Sequence, residues 1–168
     1  MQNELLQIID IEEKYLIING GLRTGKFYAA CQKIVSKCME KDVVSIIVAD
    51  YWKYPQQILT EILGDTKFTF NKVSRCFEIE STGSRIYILR LNFDFLPNFK
   101  YAIIKGADYV NEDIFDKINR RSFKQIIFTC NPPQNKEENG VIIEHWLRKL
   151  DRSEMSKRIN VPFFNKRF

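Results

Sequence analysis

Residues 15–35 read YLIINGGLRTGKFYAACQKIV. The apolar run 15–18 breaks abruptly at Asn19-Gly20-Gly21, the pattern of a buried strand entering a tight turn. From Phe27 onward the apolar positions Phe27, Cys31, Ile34, Val35 and Cys38 keep helical spacing until Lys41-Asp42. Between strand and helix, residues 20–26 satisfy GxxxxGK. In that motif glycines let backbone N–H groups curl around phosphates, and the lysine reaches the outer phosphate charge. Gly20, Gly21, Arg23, Thr24, Gly25 and Lys26 are therefore the candidate nucleotide-binding residues, and ATP is the cofactor they imply. The next residue should carry a hydroxyl to ligate the Mg²⁺ that bridges the phosphates, but it is Phe27, whose ring cannot do so.

Outward from this loop, the runs 43–48, 101–104 and 125–129 are continuous and apolar, as suits parallel strands covered on both faces. Helical segments separate them: 55–63, with Pro55 in the first turn, and 112–120, with Asn111 placed to cap the start. Residues 75–79 and 85–91 flank the turn Ser81-Thr82-Gly83-Ser84 and read as an antiparallel hairpin. The expected fold is α/β, a P-loop NTPase-like, mainly parallel sheet with crossover helices and an added antiparallel hairpin. Residues 131–140 form a polar loop with two prolines. Residues 148–168 hold Arg148, Lys149, Arg152, Lys157, Arg158, Lys166 and Arg167 against Asp151 and Glu154, and read as a basic C-terminal tail behind a domain spanning 1–147.

At 168 residues, 45% hydrophobic and 28% charged, the chain has the balance of one domain around one core. A net charge of +5 favours a polyanionic partner without requiring one. Cys31, Cys38, Cys76 and Cys130 form no CxxC pair and have His145 as the sole histidine in the chain, so they read as buried thiols rather than zinc ligands. No apolar run of 18 residues and no basic leader is present, which predicts a cytoplasmic protein without a membrane span.

With the loop in place, the chain resembles phage large terminase subunits, the ATPases of viral DNA-packaging motors. Phe70-Asn71-Lys72 and Gly83-Ser84-Arg85-Ile86 look like the family's hairpin segment, and residues 101–121 resemble its Walker B strand and following helix. Gln125 to Pro133 (QIIFTCNPP) is similar to the coupling motif, with Thr129 and Asn131 in the positions that sense the terminal phosphate, and Glu144-His145-Trp146-Leu147 resembles the segment after it. The resemblance implies terminase or portal protein as partners, while the basic tail, by its own charge, offers a contact for DNA.

The departures carry as much weight as the matches. The two consecutive acids expected after the Walker B strand fall on Lys105 and Gly106, so with Phe27 the metal site is degenerate at three positions. The expectation is a pseudo-ATPase that binds nucleotide at most, with no confident catalytic residue, no metal ligand and no room for the family's nuclease domain. One alternative is an active ATPase in which Asp108, Glu112 or Asp113 replaces the missing acids; these last two open a helix, where acids are favoured anyway. Another is a nucleic-acid binder that uses the tail together with Trp146, Phe163, Phe164 and Phe168.

Overall fold

The apolar run 15–18 extends to Gly20 as β1 (Tyr15–Gly20) and feeds α1 (Lys26–Glu40) through the glycine loop, in a computed structural model that describes residues 7–21 and 24–161. There follow β2 (Val44–Ala49), α2 (Lys53–Leu63), β3 (Phe68–Asn71), β4 (Cys76–Ile79), β5 (Arg85–Arg90), β6 (Tyr101–Lys105), α3 (Glu112–Asn119), β7 (Gln125–Cys130), the small hairpin β8 (Lys136–Glu138) and β9 (Val141–Ile143), α4 (Trp146–Asp151) and β10 (Ser156–Val161). The main sheet has the order β10-β1-β7-β6-β2-β5-β4-β3. Every neighbouring pair from β10 to β5 is parallel, and β5, β4 and β3 continue antiparallel.

Both faces are covered, which is why the central strands are apolar at consecutive positions. Leu16, Ile18, Ile47, Ile103 and Ile127 point to one side, against Cys31, Ile34 and Cys38 of α1 and Leu59 and Leu63 of α2. Ile17, Ile46, Ile104, Ile126 and Phe128 point to the other, against Phe115 and Ile118 of α3 and Trp146 of α4. Cys31 and Cys38 are fully buried, as helical spacing predicted, and Cys76 and Cys130 are buried too.

Local chemistry sets the element ends. Asn111 caps α3 by accepting the Asp113 N–H at 3.0 Å, and Pro55 sits in the first turn of α2. The end of α1 is held from outside: the buried Ser84 hydroxyl lies 2.8 Å from the carbonyls of both Cys38 and Lys41, and Thr82 donates to Cys38 at 2.7 Å. These bonds satisfy carbonyls that a helix end leaves without partners.

Three expectations change. Arg75 is in the left-handed turn before β4 (φ 52), not in a strand. The second arm of the expected hairpin, β5, is also the parallel neighbour of β2, so the antiparallel addition is β4 with β3, a strand missing from the sequence reading. The supposed basic tail is, through Val161, part of the fold: residues 146–151 form α4, and β10 pairs in register with β1 from Tyr15↔Ser156 to Gly20↔Val161. Its alternation is that of an edge strand, with Lys157 and Arg158 exposed while Val161 is buried and Ile159 packs on the core, and the charge density hid it. Lys166, Arg167, Phe163, Phe164 and Phe168 lie outside the described residues.

A buried cation also holds the chain's start against α1. Lys33 is fully buried and donates to the carbonyls of Ile8 at 2.8 Å, Ile9 at 2.9 Å and Ile11 at 2.5 Å. Burial pushes its ammonium down to about 8.

Candidate functional site

The site forms where β1, β7 and β6 end side by side at their C-terminal edge, the edge at which parallel α/β sheets bind ligands. Gly20 ends β1 against the first neighbouring strand, β10. A Cβ placed on it would meet Thr24 Oγ1 at 3.0 Å, the Val161 carbonyl at 3.1 Å and Val161 Cβ at 3.2 Å, so close approach requires glycine there. Gly25 precedes α1 in the left-handed region (φ 79), which glycine adopts without steric cost.

Lys26 lies folded over the loop. Its Nζ donates to the Gly20 carbonyl at 2.9 Å, the Gly21 carbonyl at 2.8 Å and Asn131 Oδ1 at 3.1 Å. The Thr24 hydroxyl donates to the same Gly21 carbonyl at 3.0 Å. Burial pushes the Lys26 ammonium below the ordinary lysine range, Cys130 and Asp108 oppose that shift, and Lys105 adds to it. Phosphate oxygens could replace the two carbonyls as acceptors of the Lys26 ammonium. Arg23 and Leu22 lie outside the described residues.

Asn131, read as a coupling residue, is brought directly to the lysine, and a chain of hydrogen bonds fixes it. Its backbone N–H donates to Asp108 Oδ1 at 3.0 Å, and the Asp108 carbonyl lies 3.0 Å from His145 Nε2. His145 Nδ1 accepts the Leu147 N–H at 3.1 Å as the cap of α4, so the ring proton sits on Nε2 and is donated to Asp108. Trp146 completes the support, donating from Nε1 to the Val110 carbonyl at 2.9 Å and stacking on Phe115 at 4.9 Å. Thr129, the other coupling candidate, is buried within β7 and pairs with Ile18 and Lys105 in the sheet. An open cleft of about 1000 Å³ begins at Asp108 and Asn131 and runs past Asn111 and His145.

The degenerate positions meet one another. Lys105, at the end of β6, places its Nζ 5.7 Å from the centre of the Phe27 ring and 5.5 Å from that of Tyr54, and the two rings lie 5.6 Å apart. A bound Mg²⁺ needs oxygen ligands. At the two positions where the sequence motifs would call for a hydroxyl and a carboxylate, this chain has a ring and an ammonium. Gly106 follows in the left-handed region (φ 67) and opens the short turn Ala107–Tyr109. Asp108, one proposed replacement acid, is committed through Oδ1 to Asn131, and Glu112 and Asp113 lie in the first turn of α3. Neither the Phe27 ring nor the Lys105 ammonium has an electron pair to give a magnesium ion.

Sequence reasoning missed Tyr54, Asp108 as the anchor of Asn131, and the capping role of His145. No local pattern marks Tyr54, because α2 reaches the site only through the fold.

The arrangement of strands and helices matches solved structures of phage packaging ATPases. The fold is that of a large-terminase ATPase domain. The large terminase of a thermophilic bacteriophage superposes with a TM-score of 0.71 at 13% identity, over 94% of this chain and 44% of that one. The same terminase has also been solved with ATP-γ-S and with ADP. The large terminase ATPase domain of Thermus phage P74-26 gives a TM-score of 0.61 at 11% identity, over 93% of this chain and 78% of that one. The N-terminal domain of the bacteriophage phi29 DNA-packaging ATPase gives 0.53 at 12% identity, over 83% and 93%. This chain thus spans less than half the length of the thermophilic-phage terminase. The sequence matches no protein-family model and no curated protein. No helix among the described residues is long and apolar enough to cross a membrane.

Proposed function

We propose that this chain is a terminase-like phosphate-loop domain of a viral DNA-packaging apparatus that holds ATP or ADP but hydrolyses ATP weakly or not at all, and so works as a binding or regulatory module. The carrying observation is the contact between Phe27 and Lys105, which replaces the hydroxyl and the carboxylate of a metal site with a ring and an ammonium packed on each other. The nucleotide part of the reading rests on Lys26 with its loop carbonyls and on Asn131, and on the thermophilic-phage terminase having been solved with ATP-γ-S and ADP.

The partners that fit are terminase or portal protein, met in the host cytoplasm. A subunit that retains nucleotide would stall neighbours in a coordinated ring. DNA contact through the basic C-terminal segment has less support: Arg152 pairs with Glu144, Arg158 pairs with Asp151 at 2.8 Å, and Arg148 donates to the Pro133 carbonyl at 2.9 Å, which leaves the exposed Lys149 and Lys157 in the described part.

Phosphate release and nucleotide binding, followed in the same samples both with Mg²⁺ and with EDTA for the full chain and for Lys26→Ala, test the reading. Binding that Lys26→Ala abolishes, with release at background, is expected. Magnesium-dependent release lost in Lys26→Ala would establish a working ATPase instead, and an absence of binding by the unaltered chain would make the loop a relic.

A further inference from the structure

We propose that the site takes a nucleoside polyphosphate without a divalent cation, the Lys105 ammonium supplying the positive charge that a metal would otherwise bring to the outer phosphates. This rests on the reading of the loop as nucleotide-binding and adds the form in which the nucleotide enters. Three observations support it.

The first is position. Lys105 ends β6 and pairs with Thr129 of β7, which pairs in turn with Ile18 of β1, two residues before Gly20. Phe27, beneath the Lys105 ammonium, directly follows Lys26, so the two lysines belong to one end of the sheet. Their fields overlap enough that Lys105 contributes to lowering Lys26.

The second is the way the ammonium is held. Phe27 is buried, and with Tyr54 it forms two ring faces that attract a cation without neutralising it. Among the described residues Lys105 has neither a carboxylate within ion-pair distance nor a hydrogen-bond acceptor for Nζ. The rings fix the charge and leave three donors for a ligand.

The third is selectivity. A free ATP or ADP carries the negative charge that Mg²⁺ normally covers, and Lys26 and Lys105 stand at the same end of the sheet to meet it. A nucleotide bearing its metal would bring a dication against the Lys105 ammonium and find no Phe27 hydroxyl or carboxylate at 105 or 106 to complete its shell. The site is thus complementary to the metal-free form.

Calorimetric titration of the full chain with ATP and with ADP, once in EDTA and once in excess Mg²⁺, tests this. Binding is expected in EDTA and is weaker with Mg²⁺. Lys105→Met should weaken binding in EDTA by about tenfold, the loss of one charged hydrogen-bond partner, and Lys105→Arg should restore most of it. Circular dichroism of each variant below its transition shows that the fold is intact. Binding that needs Mg²⁺, or equal binding by Lys105→Met and the unaltered chain in EDTA, overturns the inference while leaving a nucleotide-binding loop in place. Absence of binding in both buffers overturns the inference and the nucleotide reading together. Hydrolysis is read from phosphate release in the separate experiment above.

Discussion

Replacing Lys105 by Met takes the ammonium away from Phe27 and Tyr54 while keeping an unbranched stem of similar reach. The structure gives the size of the effect. Nζ is within 6 Å of both ring centres, at 5.7 and 5.5 Å, and the lysine is partly exposed, so each contact is worth about 0.5–1 kcal/mol and the pair about 1–2 kcal/mol. Phe27→Leu keeps an apolar side chain in the buried position but removes the ring. A double-mutant cycle of Lys105→Met with Phe27→Leu, read by urea unfolding, should show a coupling energy of about 0.5–1 kcal/mol. For a domain of this length each kcal/mol corresponds to about 2–4 °C in Tm, so Lys105→Met alone should melt roughly 2–8 °C lower. Lys105→Asp, which restores the charge sign expected of a Walker B acid, should be less stable than Lys105→Met because a carboxylate is repelled by the ring faces. Additive single substitutions, with no coupling, would refute the idea that the two departures from the family pattern form one built contact.

Further predictions concern the frame around the site. Ser84→Ala removes the hydroxyl between the Cys38 and Lys41 carbonyls and should cost about 1–3 kcal/mol in urea unfolding, far more than a surface Ser→Ala. Gly20→Ala forces a methyl to within 3.0–3.2 Å of Thr24 and Val161 and should cost about 1–3 kcal/mol by overpacking, with nucleotide binding weakened in calorimetry. Gly106→Ala meets no atom within 4 Å and should cost only the strain of a positive φ, about 1 kcal/mol. Lys33 has a folded value of about 8, below the ordinary 10.5, so the unfolded chain holds more protons between those limits. Its contribution to stability is present above pH 10.5 and is lost as pH falls through 8. Unfolding free energy of the unaltered chain relative to Lys33→Met should therefore increase from pH 8 to 10.5, and a pH-independent difference would count against the burial of this ammonium.

Much of the sheet was legible because parallel strands buried on both faces are continuous apolar runs: residues 43–48, 101–104 and 125–129 each fall on or within one residue of a strand. The helix after the loop, the cap at Asn111 and the buried cysteines were legible for the same kind of local reason, a spacing or a residue type that one element alone dictates. β10 was not. An edge strand needs few inward residues, here Ile159 and Val161, and Lys157 and Arg158 between α4 and them look like any solvated charge run. β3 and the hairpin β8–β9 were missed because each is only three or four residues long, too short for periodicity to register.

The site itself divides along the same line. The loop glycines and Lys26 are contiguous, so their chemistry can be read from seven residues; Asn131 reaches them from 105 positions away because β7 lies beside β1. Phe27 and Lys105 each looked like a loss when read singly, since the sequence places them 78 positions apart and the measure of each was the residue it replaced. Folding brings the ammonium over the ring and adds Tyr54 from a third element. A hydroxyl and a carboxylate hold a metal by donating electron pairs; a ring face and an ammonium cannot, but they hold each other, and they leave a positive charge fixed where the metal's charge would be. On the proposed reading the substitution turns a site for a metal-bound nucleotide into one for a bare nucleotide, with the Lys26–Asn131 contact as the part that is kept.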